Sequence, residues 1–180
     1  MLESPIDLPS IYRETACGET RRSIVDDMFA DRELVCVGNI DRELVNALIL
    51  QIRCLEKQDP HSGIAIFINS PGGEVSSGLA LYDVMQAALL FLSGDEREML
   101  PHSTVMIHDP LIPSGVGGSA LELRSVADRI MRTREVTAQV IAKHTGHSLD
   151  EVLEATARDA WFDAEEAVAW GLADRVITEL

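Results

Sequence analysis

Apolar side chains recur every three or four residues between Asp41 and Lys57, at Leu44, Ala47, Leu48, Ile52 and Leu55, with Gln51 the one polar interruption. That is the period of a single helix face, and Asp59-Pro60 would stop the helix it predicts. Three short apolar runs have strand character: Leu34 to Val37 halted by Gly38, Ile64 to Ile68, and Thr104 to Ile107. Leu34 to Val37 and Thr104 to Ile107 read as buried. Ser70-Pro71-Gly72-Gly73 is a turn that opens a further helical pattern from about Val75 to Met85. The longest helical pattern runs from Ser119 to His144 and offers Leu121, Leu123, Val126, Ile130, Val136, Val140 and Ile141 for burial, with Gly146 just past its end. Its apolar residues occupy more than one face, a surplus that predicts an interface with other copies.

Side-chain acceptors mark the remaining helix starts. Ser23 can cap a short helix through Ala30 with Asp26 and Asp27 in its first turn, Ser148 caps one through Thr156, and Asp163 begins another before Gly171. Strands alternating with helices predict an α/β fold with parallel strands. Met1 to about Thr20 has Pro5, Pro9 and Gly18 and no sustained period, so it reads as a loosely structured arm.

Length and composition narrow the class. A chain of 180 residues, 46% hydrophobic, can bury one proper core, which makes a single domain the expectation. A formal charge of −15 repels nucleic acid and anionic membrane surfaces. No apolar run approaches the roughly 20 residues that cross a bilayer. Glu3 and Asp7 stand where a secretory signal carries positive charge, and a cytoplasmic protein is expected. Cys17, Cys36 and Cys54 are an odd, widely spaced set, which argues against a disulfide framework and a zinc site.

Candidate chemistry is sparse. Gly72 and Gly73 sit between a strand and a helix start, where backbone N–H groups can face an anion; the bland alternative is a plain turn. His108 follows an apolar strand directly, and strand ends are where α/β folds gather reactive groups, although a lone histidine there is more often structural. Asp159 by itself is one acidic residue among 30. His144 suits a helix C-terminus, where a cation is favoured, while His102 and His147 read as solvent-facing.

Taken in order, Phe67-Ile68-Asn69-Ser70-Pro71-Gly72-Gly73, Leu100-Pro101-His102-Ser103, Met106-Ile107-His108-Asp109-Pro110, His144-Thr145-Gly146 and Thr156-Ala157-Arg158-Asp159 resemble the proteolytic subunit of the Clp family, a self-compartmentalised serine peptidase. The resemblance runs from about Ser23 to the C-terminus. It implies a crotonase-like superhelix of strand-turn-helix units with a protruding handle helix at Ser119 to His144. Residues 1–22 would form an axial loop and 23–180 one catalytic domain. His108 would be the general base, Asp159 the acid that orients it, and the Gly73 amide one half of an oxyanion hole. The implied assembly is a tetradecamer of two stacked heptameric rings. A hexameric AAA+ unfoldase would feed it unfolded polypeptide, and the ATP is spent by that partner. The peptidase itself would need no metal or organic cofactor. An acyl-CoA enzyme of crotonase type fits the histidine motifs poorly.

The nucleophile breaks the pattern. The resemblance calls for a strand and then a serine elbow between Met85 and Leu89, yet no serine occurs between Ser77 and Ser93. Ser93 matches the end of the helix that follows the elbow, and Ser70 and Ser103 belong to other motifs whose roles the resemblance makes structural. Either a segment carrying the nucleophile is absent from this sequence near residues 86–89, or the chain is a non-catalytic ring subunit. Removal of a buried strand should cost more than the roughly 5–15 kcal/mol that holds a domain together, which favours the first. A break in the chain between Gln86 and Leu89 is its structural expectation.

Overall fold

The computed structural model describes residues 10–15, 18–73, 91–111 and 117–179. Contacts divide the chain at Glu74 into two units. The expected helix from Val75 to Met85, and the expected break between Gln86 and Leu89, lie outside the described residues.

The first unit opens with a hairpin where no sustained structure was expected. β1 (Ser10–Thr15) pairs antiparallel with β2 (Gly18–Ser23), from Ser10 opposite Ser23 to Thr15 opposite Gly18. Ser23 then caps α1 (Ile24–Ala30) in a reciprocal box with Asp26, its Oγ accepting the Asp26 N–H at 3.0 Å. β3 (Glu33–Val37), α2 (Arg42–Gln58) and β4 (Ala65–Asn69) form a strand-helix-strand crossover with the strands parallel, Glu33 opposite Ala65 through Val37 opposite Asn69. Leu34 and Cys36 are buried together with Val45, Leu48, Ile52 and Leu55 of α2, the strand period of two meeting the helix period of 3.6. β4 is half-buried to exposed along its length. Arg32, at φ 64, donates to the carbonyls of Leu55, Asp59, Ser62 and Gly63 and so secures the return from α2.

The second unit contains β5 (Glu98–Met99), β6 (Thr104–Ile107), α3 (Ala120–Thr145), α4 (Leu149–Thr156), β7 (Ala160–Asp163), α5 (Ala164–Ala169) and β8 (Arg175–Val176). β5 and β8 pair parallel, and β6 and β7 pair antiparallel. Ser119, Ser148 and Asp163 each cap a helix in a reciprocal box, and Gly146 ends α3 at φ 79. The core gathers Ile107, Ile141, Val152, Ala167 and Leu172. Among the described residues only the C-terminal half of α3 reaches it, through Ala138, Val140 and Ile141. Leu121, at 79% exposure, and Leu123 and Val136 are exposed, against the burial expected of them; Val126 and Ile130 are half-buried. Periodicity reports that a face is apolar and leaves open what covers it. β6 is likewise less buried than expected, with Thr104 exposed and only Ile107 fully enclosed. No helix among the described residues is long and apolar enough to cross a membrane.

Candidate functional site

In the first unit, the two glycines after β4 divide the work. The Ser70 hydroxyl accepts the Gly72 N–H at 3.0 Å, and Gly72 takes φ +102, a conformation that a side chain disfavours. Its carbonyl accepts the Ile40 N–H at 2.9 Å, and an isolated parallel bridge joins Ile40 to Gly73. Gly73 lies so close to that backbone that a Cβ on it would fall 2.6 Å from Ile40 C and N. Among the described residues the Gly73 N–H donates to no acceptor. Ser70 is committed to the turn itself, in keeping with a structural role.

In the second unit the register of β6 and β7 organises the candidate residues. Thr104 opposes Asp163, Val105 opposes Phe162, Met106 opposes Trp161 and Ile107 opposes Ala160. Opposed residues of an antiparallel pair share a face, and faces alternate along each strand. Val105, Ile107, Ala160 and Phe162 turn into the core. Trp161, at 65% exposure, marks the other face. His108 and Asp159 are the next residues beyond the last pair, one on each strand. His108 is half-buried and Asp159 exposed, with φ 50 where the chain turns out of α4. Among the described residues their side chains make no hydrogen bond to each other. A carboxylate beside an imidazole can fix its tautomer and stabilise its protonated form, and such bonds are often long before substrate binds.

The strand end is secured by residues that the sequence reading missed. The Asp109 N–H donates to the Thr156 carbonyl at 2.9 Å, and the Asp159 N–H reaches the same oxygen at 3.5 Å. Arg134 of α3 donates from Nε to Asp109 Oδ2 at 2.6 Å and from Nη2 to the Leu153 carbonyl at 2.9 Å. Asp109 could have been noticed beside His108; nothing in the sequence pointed to Arg134.

The other histidines do different work. His147, expected in solvent, is half-buried and stacks on Trp170 with ring centroids 4.2 Å apart. His144 was expected as a cation at the helix end, but burial lowers its pKa, helped by the charges of Lys143 and Arg97. Desolvation, which disfavours the charged imidazole, is the larger cause there. His102 is exposed, Ser93 is buried and the Ser103 N–H closes a turn on the Leu100 carbonyl. Among the described residues no group of three or more His, Cys, Asp or Glu could hold a metal ion.

A parallel strand-helix-strand crossover in one unit and an antiparallel ribbon with helices in the other make this a mixed α/β protein. The Clp protease family model matches residues 16–89 and 86–180, and the chain belongs to that family. The two matched segments overlap at 86–89. Members are peptidases or their relatives, and they generally form oligomeric rings that work with AAA+ partners.

Proposed function

We propose that the protein is a subunit of a Clp-type serine endopeptidase that cleaves unfolded chains in the cytoplasm, inside two stacked heptameric rings fed by a hexameric AAA+ unfoldase. His108 takes the proton of a serine hydroxyl as the oxygen adds to the scissile carbonyl, Asp159 orients the imidazole, and the Gly73 N–H helps hold the oxyanion. Collapse of the tetrahedral adduct passes the proton to the leaving amine, and water releases the acyl group by the same steps. The observation that carries this reading is the β6–β7 register, which leaves His108 and Asp159 as successive residues beyond one rung.

The serine belongs, on this reading, to a segment absent from the sequence near residues 86–89, and the family match supports it by dividing there into two overlapping pieces. Residues 1–22 act as the axial loop, and 23–180 is the catalytic domain, a crotonase-like superhelix. α3 is the handle between rings, a role that suits its exposed Leu121, Leu123, Met131 and Val136. The lack of any serine between Ser77 and Ser93 favours one other reading, a non-catalytic ring subunit. Intact mass of the protein from its natural source, together with fluorophosphonate labelling, separates the two. A mass above 19.7 kDa with a labelled serine is expected; a matching mass with no labelling refutes the peptidase reading.

A further inference from the structure

We infer that Arg134 and Asp109 are positioning residues for the His108–Asp159 pair, an inference that rests on the proposed roles of that pair. Leu153 and Thr156 lie in the last turn of α4, where carbonyls are under-supplied with N–H partners; the Leu153 carbonyl accepts only a long 3.3 Å bond from the Ala157 N–H and a 3.4 Å bond from the Thr156 hydroxyl within the helix end. The Arg134 guanidinium takes the Leu153 carbonyl, and the Asp109 N–H takes that of Thr156. Arg134 also holds the Asp109 carboxylate, so one cation ties the residue after His108 to the helix end three residues before Asp159. A cation there also suits the helix dipole.

The pair is partly withdrawn from water, with side-chain exposures of 22% for Arg134 and 34% for Asp109, unlike a solvated surface ion pair. Asp109 Oδ1 is buried and has no partner among the described residues, a costly arrangement for a simple staple. If the clamp loosens, the two chain ends that carry the imidazole and the carboxylate can drift apart.

The full chain is compared with Arg134→Gln, Arg134→Lys, Asp109→Asn and Asp159→Asn by proton NMR. The signal read is the low-field imidazole N–H of a histidine bonded to a carboxylate, with the melting temperature followed alongside. The unaltered protein should show a signal that Asp159→Asn abolishes and that Arg134→Gln and Asp109→Asn weaken or remove. Arg134→Lys keeps the charge but cannot reach both acceptors, and it should fall between. In protein that a fluorophosphonate labels, Arg134→Gln should slow labelling on the order of 10²-fold, the cost of an offset of about 1 Å in a reacting group. The inference is overturned if Arg134→Gln and Asp109→Asn melt lower yet keep the native signal and labelling rate. An unaltered protein without any Asp159-dependent signal overturns the pair assignment, and this inference with it. Should Arg134→Gln fail to fold, Asp109→Asn, which keeps the side-chain shape, carries the comparison.

Discussion

Substitution of Gly73 by alanine tests whether close backbone approach, and not mere flexibility, is what the turn after β4 demands. A Cβ there would fall 2.6 Å from Ile40 C and N and nearer still to its carbonyl oxygen. Backbone cannot rotate aside as a side chain can, so the turn must move and endanger the 2.9 Å bond from Ile40 N–H to the Gly72 carbonyl. Overpacking costs about 1–3 kcal/mol, and the loss of one backbone hydrogen bond adds about 0.5–1.5 kcal/mol. Together about 2–4 kcal/mol is expected, a drop of roughly 4–16 °C in Tm for a chain of this size. Gly38→Ala is the control: Gly38 has φ +88 but nothing within 4 Å of its Cβ position, so only the conformational penalty of about 1–2 kcal/mol applies. Urea and thermal unfolding of both variants, followed by circular dichroism, give the comparison. If Gly73→Ala is no more damaging than Gly38→Ala, the argument from close approach is wrong.

Burial pushes the Cys36 thiol up to about 11 from 9.0. Its contribution to stability is complete below pH 9.0 and lost as pH rises toward 11, about 3 kcal/mol in all at 1.36 kcal/mol per unit; urea midpoints should show this step in the native chain and not in Cys36→Ala. Hydrogen bonds from Arg97 hold the Asp174 carboxyl below its ordinary 3.8, so that stability is present above pH 3.8 and lost as pH falls below it. Asp174→Asn should cost about 1–2 kcal/mol at neutral pH, reduced by solvent screening, and equal thermal stability in the two proteins at pH 7 would refute the assignment. Leu121→Asp, at an exposed position of α3, should lower the assembled mass in light scattering while the melting temperature stays near native; an unchanged mass would remove this face from the interface.

Local signals carried much of the fold. The caps at Ser23 and Ser148, and the helix starts at Asp41, Ser119 and Asp163, were legible because period and capping chemistry act within a few residues. β3, β4 and β6 were legible as apolar runs. β5 and β8 are two residues long, too short for any period, and their pairing partners lie far along the chain. The hairpin from Ser10 to Ser23 is rich in arginine, glutamate and threonine; its strands are defined by each other and not by an apolar face. His108 and Asp159 were visible only as members of motifs, since neither has a local property that sets it apart. Arg134 was illegible because its partners, Asp109 and Leu153, lie 25 and 19 residues away on other elements.

The alternation of β6 and β7 makes the core a ruler for the residues that follow the two strands outside it. Slippage of β7 by one residue would turn Ala160 and Phe162 to the outside and drive Trp161 and Asp163 inward. It would also strip α5 of its Asp163 cap and shift Asp159 off the position opposite His108. Four apolar side chains, Val105, Ile107, Ala160 and Phe162, thereby index His108 against Asp159. An inserted residue between Ile107 and His108, or between Asp159 and Ala160, would leave that packing whole and still break the count.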